Sequence, residues 1–440
     1  MSVQPDVKPV LIIGGGVVGL TILRTLTCDV KLKGSVMLIE AEDHLCSHAS
    51  GHNSGIACTG VDAPMGSLER ALVRESLSNM RTWLDRFNLP FRPVGSLVAD
   101  WGAREGEGEG EGEGEGEVMN KLRAVVEESH VAGDCDVELL TDRAKIISLE
   151  PNVNPAVSAA VHIKGEVVVD PWLIPMSYAS HAVENGALIK KGFRATEVSF
   201  DENGGVWRVA SKNGEVLYAK VVVSCVGNWG DEMFNNLKGK PAPFVNKPRK
   251  GQYTLFERTE GLLKRPLQPV PTDFTKGVFV FSTLYDNIVC GPTAEEQENR
   301  EVAELDEETL EMLKETGKRR LPSLAEKKIV RSYAGLRPAT SERDYQFQLD
   351  PMRNFLSVAS IRSTGLTASL GIGRHAASLL TSVFDFLEVE KEKVIKTTKF
   401  KDVEELSREF RERKDGKVEI PFLGECFVTH PITQTGWSGC

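Results

Sequence analysis

Three unbroken apolar runs punctuate the chain: Val10-Leu11-Ile12-Ile13, Val36-Met37-Leu38-Ile39 and Val221-Val222-Val223. A run without polar alternation predicts a strand buried on both faces, as in a parallel sheet covered by helices. Elsewhere the period becomes that of a helix. Leu68, Leu72, Leu77, Met80, Trp83 and Leu84 predict a helix over residues 66–87, with Glu69, Arg70, Arg74, Glu75, Arg81 and Asp85 on a solvated face. Further helices are predicted over 118–130, over 172–185 between Pro171 and Gly186, over 301–320 and over 368–387. Strands are predicted over 95–99, up to Pro171, at 207–210 and 217–223 about an Asn213-Gly214 turn, at 329–334 and at 354–360. From 241 to 292 the strands are short and broken by Pro and Gly (252–256, 277–282, 287–290), which predicts an antiparallel sheet in a domain of its own. From Glu388 onward the tail reads as charged and then irregular.

The first apolar run leads straight into Gly14-Gly15-Gly16-Val17-Val18-Gly19. The spacing of Gly14, Gly16 and Gly19 fits G-x-G-x-x-G: a tight turn, a close backbone approach to a pyrophosphate, and close packing of helix on strand. The helix that follows presents unpaired N–H groups and its positive dipole end to phosphates. The second run ends in Glu40, roughly 20 residues on, where an acid can take a ribose hydroxyl. Together these define a dinucleotide site. Residues 44–56, rich in small and polar side chains, suit a loop that wraps a phosphate or ring, or simply a linker. The 220–226 run likewise ends in a glycine, Gly227, where backbone can approach a nucleotide.

The 440-residue chain is long enough for about two to three domains and a large core. A net charge of -10 argues against nucleic acid or an anionic membrane as a general partner, so an anionic substrate needs a local cationic pocket. The eight cysteines show no C-x-x-C pairing, which points to reduced thiols and to no metal site. No apolar stretch approaches the roughly 18 residues of a membrane span. The N-terminus has no signal-like pattern, so the expected compartment is the cytoplasm, with association with mitochondria left open. The Glu-Gly repeat within residues 104–117 predicts a disordered surface loop, because like charges repel and glycine is costly to order.

Several motifs in this order resemble those of the D-amino-acid-oxidase-like family of FAD enzymes. They are Gly14 to Gly19, Glu40, Ser50-Gly51-His52-Asn53-Ser54-Gly55, Val169-Asp170-Pro171, Gly335-Leu336-Arg337-Pro338 and Thr364-Gly365-Leu366-Thr367. Pro248-Arg249-Lys250-Gly251-Gln252-Tyr253 and Asn287 to Glu295 resemble most the glycerol-3-phosphate dehydrogenase branch, and more loosely the L-2-hydroxyglutarate dehydrogenase branch. The resemblance implies an α/β (α+β) fold in which a Rossmann-like FAD-binding domain (1–65, 150–235, 330–390) is interleaved with an antiparallel-sheet substrate domain (66–149, 236–329). A C-terminal extension (391–440) follows. It implies FAD held by Gly14, Gly16, Val17, Val18, Gly19 and Glu40. Ser50, Gly51, Asn53, Ser54 and Gly55 would stand along the pyrophosphate and ring, with Gly227, Arg337, Gly365, Leu366 and Thr367 also near the cofactor. Two departures stand out. Many relatives carry His in the turn where this chain has Cys58, either a flavin attachment or a plain buried thiol, and the tail has only Cys426 and Cys440, too few for an iron–sulfur relay.

The implied reaction is oxidation of glycerol 3-phosphate or a related anionic alcohol by hydride transfer to flavin N5, with electrons passing to a quinone or another acceptor. Such chemistry needs an anchor for the anion and a base for the hydroxyl proton. Arg337 is the expected anchor, since guanidinium binds carboxylate or phosphate bidentately and stays charged. Lys250 and Arg249 are second candidates, and Tyr253 could orient substrate or simply belong to the core. His52, titrating near neutrality, is the candidate base; His375, on an apolar helix, reads as structural. The alternatives are a 2-hydroxy acid dehydrogenase or amino-acid oxidase of the same fold, and a non-catalytic flavin-binding protein.

Overall fold

The structure, a computed structural model, describes residues 6–101, 115–134, 136–238, 241–271 and 277–440. The strand Val7–Ile13 lies at the centre of a mixed sheet, flanked in parallel by Met37–Ile39 and Val216–Ser224. Phe355–Ala359 extends the parallel set on the far side of Val216–Ser224. Both faces are covered. Val10 and Ile12 pack with residues of the helices Val17–Arg24 and Ser369–Val383, while Leu11 and Ile13 pack with Trp207, Phe234 and Phe355. That two-sided burial is why the run carries no polar residue.

The second sheet is largely antiparallel and is built on Arg249–Arg258, which pairs with Ile329–Arg337 on one side and Asn287–Gly291 on the other. Its two faces separate cleanly. Phe256, Val280 and Ile288 join Leu313 from the helix Glu307–Arg320, whereas Tyr253, Leu255, Phe281, Val289 and Tyr333 form a cluster with Ile432 from the C-terminal segment. Side-chain alternation along the strand therefore decides which residues face the functional side.

Several expectations change. The tail is not irregular: it folds into the helix Val403–Arg413, the hairpin Lys417–Ile420/Gly424–Phe427 and the helix Pro431–Ser438. Leu406, Val418, Ile420, Val428 and Trp437 are buried in the same core as the first strand. The first of these helices is capped by Asp402, whose carboxylate accepts the Glu405 N–H at 2.8 Å, and its charges hide a single buried leucine. The helix predicted from 301 begins at Glu307, after an Asp306 cap, and that predicted over 368–387 is Ser369–Val383. The helix Leu68–Phe87, placed by sequence in the 66–149 segment of the substrate domain, packs against Ser369–Val383 within the core of the first sheet.

Its charges are not all solvated either. Glu69 and Arg70 are buried: Glu69 accepts from the Thr364 hydroxyl (2.6 Å), and Arg70 donates to the Val61 and Ala63 carbonyls. The Glu-Gly repeat lies outside the described residues up to 114, and its last residues open the helix Glu115–Val131.

Candidate active site

A cleft of about 370 Å³ opens at the carboxyl edge of the parallel strands. Gly14 makes the turn with φ +114°, and a Cβ there would lie 2.4 Å from the Cys225 carbonyl oxygen. Its N–H donates to Ile39 O at 2.8 Å, tying the turn to the next strand. A Cβ on Gly19 would sit 2.0 Å from Gly14 O, so the helix can cross the turn this closely only with glycine there. Gly16, Val17 and Val18 line the cleft, and the Val17 N–H donates to the Ser50 hydroxyl at 3.0 Å.

Glu40 is fixed at the second strand's end. Its Oε2 accepts Gly15 N–H at 2.6 Å and its Oε1 accepts Glu42 N–H at 2.9 Å. A carboxylate has about four lone-pair sites, so two remain for hydroxyls in the cleft. Ser50 and Asn53 line it from the loop, and Gly227, Gly365 and Leu366 from the far side. Two helices begin here, Val17–Arg24 and Ser369–Val383, and neither N-cap residue offers a side-chain cap. Ser50 takes the Val17 N–H and Ser76 the Gly371 N–H, and the positive ends of both helices suit an anionic pyrophosphate and an electron-rich ring. The residues present thus fit an FAD-sized anion with a ribose.

Other expected residues lie beside the cleft rather than in its lining. Gly51 and Gly55 are packing positions: Cβ atoms there would meet Cys46 O at 2.1 Å and Val169 O at 2.9 Å. The Ser54 hydroxyl accepts Ile56 N–H, and the Thr367 hydroxyl accepts Cys58 N–H at 3.2 Å, which leaves Cys58 in a half-buried turn. His375 packs edge-on against Phe347, with ring centroids 4.6 Å apart.

A second face is formed by the paired strands Arg249–Arg258 and Ile329–Arg337, whose register puts Tyr253 opposite Tyr333 and Gly251 opposite Gly335. The tyrosines stack at 4.5 Å and 10°. Gly335 leaves room for His52, whose Cβ would be 2.6 Å from an added Cβ, and Gly251 leaves room for the Arg337 guanidinium at the same distance. Arg337 donates one N–H to Thr293 O at 3.1 Å; its Nη1 is buried with no protein partner. Burial pushes the Tyr253 hydroxyl pKa up, and the Arg337 guanidinium beside it pulls the other way. Lys250 is on the opposite face, by strand alternation, and its ammonium pairs with Glu295 at 3.0 Å. The structure does not bring Lys250 to Arg337, correcting the expectation of a second anchor there.

His52 Nδ1 lies 2.9 Å from His48 O, and since a carbonyl can only accept, Nδ1 carries the hydrogen and Nε2 keeps its lone pair. Burial lowers the His52 pKa from its ordinary value, so the neutral ring prevails at neutral pH. The sequence reading missed Tyr333, whose hydroxyl donates to Asn53 O at 3.0 Å, and His430, which meets Tyr333 edge-on at 6.1 Å. Local pattern holds no signal for either, because both reach the site through strand register and the tail's fold.

Arg337, Tyr253, Tyr333 and His52 are outside the cleft lining and border it through Pro338 and Asn53, which line it. Residues 9–379 match the family of FAD dependent oxidoreductases named DAO, and the chain belongs to it. It is thus an FAD-dependent oxidoreductase, and FAD is its cofactor. The chain is 27% identical over 381 residues (86% of its length, 75% of the relative's) to a glycerol 3-phosphate dehydrogenase of Caloramator mitchellensis. It is 26% identical over 299 residues (67% and 65%) to a mitochondrial L-2-hydroxyglutarate dehydrogenase of Caenorhabditis elegans. Among solved structures it superposes on the FAD-bound L-alpha-glycerophosphate oxidase of Mycoplasma pneumoniae with a TM-score of 0.76, at 26% identity, covering 86% of this chain and 95% of the other. Among the described residues no helix is long and apolar enough to cross a membrane, and no group of three or more His, Cys, Asp or Glu is placed to hold a metal ion.

Proposed function

We propose that the enzyme oxidises glycerol 3-phosphate or a closely related small anionic alcohol. The observation that carries this reading is the Arg337 guanidinium, with one nitrogen buried and unpartnered, on the same sheet face as Tyr253, Tyr333 and His52. A planar, permanently charged fork anchors a phosphate or carboxylate and holds the alcohol carbon in one orientation. His52, neutral and with Nε2 free, takes the hydroxyl proton. Bound FAD supplies the two-electron acceptor for the carbon–hydrogen bond. The stacked tyrosines keep that face dry, which strengthens the ion pair between anchor and substrate.

Glycerol 3-phosphate dehydrogenases and oxidases among the relatives support this substrate, and the hydroxyglutarate relative supports a dicarboxylate as the second reading. The experiment is anaerobic bleaching of the yellow holoenzyme by glycerol 3-phosphate, L-2-hydroxyglutarate and small amino acids in parallel. Bleaching by glycerol 3-phosphate is the expected result; bleaching by another member alone would replace the substrate. Hydrogen peroxide formed in air would mark oxygen as acceptor, and its absence a quinone or protein. The described cysteines are free thiols, which supports a reducing compartment such as the cytoplasm.

A further inference from the structure

The C-terminal segment lies outside the stretch that matches the family, yet it closes against the face proposed for substrate. Its last helix is anchored by a buried cluster. The Asp170 carboxylate accepts the Trp172 and Leu173 N–H groups, the Tyr285 hydroxyl at 2.6 Å and the Thr433 hydroxyl at 2.9 Å. Tyr285 in turn accepts the Trp437 indole N–H at 2.9 Å. Asp170 follows a strand that pairs with the flavin loop's Ile56–Ala57 strand, and Tyr285 sits in the hairpin of the second sheet. The tail therefore ties both halves together beside the site.

At the start of that helix stands His430, fully buried. Its Nδ1 accepts the Ile432 N–H at 3.2 Å as the helix cap, so in the neutral ring the hydrogen is on Nε2. That Nε2 is buried and turned to the Asn53 backbone, with no other protein partner. The Asn53 side chain is spent within its own loop, on Ser50 O and Gly55 N–H. Its carbonyl has two lone pairs, of which the Tyr333 hydroxyl uses one. The residue just before Asn53 is His52.

We propose that His430 is a positioning residue for His52: its Nε2–H shares the Asn53 carbonyl with the Tyr333 hydroxyl and pins the loop that presents His52 to substrate. The charged and titratable neighbours are few. His52 faces His48 and Arg331; His430 faces His52 and Arg331. Arg331 is itself held by Pro431 O and the Thr435 hydroxyl, with Cys440 beyond it. His52 and His430 thus stand near one guanidinium, which favours their neutral forms. The inference rests on His52 being the base of the proposed reaction.

Two variants separate position from fold. His430→Asn keeps a cap acceptor for Ile432 but removes the Nε2 donor; His430→Gln keeps a donor at similar reach and weakens the cap. The Asn variant is expected to retain flavin and its melting temperature while kcat for glycerol 3-phosphate falls about tenfold, with KM nearly unchanged. In flavin-free protein its 15N ring shifts should show His52 leaving the pure Nδ1–H tautomer. The Gln variant should melt earlier and keep most of kcat. Wild-type kcat and tautomer in the Asn variant would overturn the proposal, and so would equal loss of flavin in both variants. If wild type itself fails to turn over glycerol 3-phosphate, the substrate assignment falls, and the tautomer comparison still decides His430.

Discussion

The two sides of the site are built from different materials. The nucleotide side is mostly backbone: a glycine turn, two helix ends whose N-cap residues offer no side-chain cap, and one carboxylate whose orientation is set by two N–H groups. The side proposed for substrate is mostly side chains, with stacked tyrosines, an imidazole and a guanidinium carried by strands and loops far apart in the chain. A backbone site is indifferent to most substitutions and intolerant of any that adds an atom where chain passes chain. A side-chain site is sensitive to charge, to reach and to pH. The first can bind a cofactor common to many enzymes, and the second must distinguish one substrate from another.

The sharpest break in this contrast is Gly19→Val. Its added atoms would fall on Gly14 O, so flavin content should drop to near zero and thermal stability should fall by several degrees, read by absorbance and melting of the purified protein. Next comes Arg337→Ala, which should leave flavin bound while kcat/KM for the anionic alcohol falls by roughly 2–4 kcal/mol, about 30- to 1,000-fold. Unchanged turnover would remove Arg337 from its role.

The pH profile gives a smaller, graded effect. Only neutral His52 can take a proton, and burial lowers its pKa. Activity should therefore stay full down through the ordinary histidine value of about 6.5 and decline only at more acid pH. An acid limb centred above that value would contradict the assignment. The smallest effect belongs to Lys250→Ala: on the far face and paired with Glu295, it should change kcat/KM by less than about threefold and stability by ~1 kcal/mol or less.

How far these features were legible follows from how local they are. The first strand, the glycine turn, the first helix and Glu40 occupy one short stretch, and each is dictated by chemistry within a few residues: apolar runs, glycine where φ is positive, an acid at a strand end. The two faces of the Arg249–Arg258 strand were not legible, because neighbouring residues alternate sides and only pairing with Ile329–Arg337 shows that Tyr253 faces the site and Lys250 does not. Glu69 and Arg70 looked solvated because helical period marks the apolar side but cannot say that Thr364 and the 61–63 turn supply partners for buried charge.

The tail shows the same limit most clearly. Its charge pattern concealed an amphipathic helix and a hairpin whose few apolar residues complete a core begun more than three hundred residues earlier. By itself the sequence determined the nucleotide-binding motif, the alternation of sheet types and the family, since those rest on spacing along the chain. Tertiary structure alone decided which side chains meet beside the cleft, which tautomer His52 holds and that His430 stands behind it. These depend on distances between segments that no local pattern encodes.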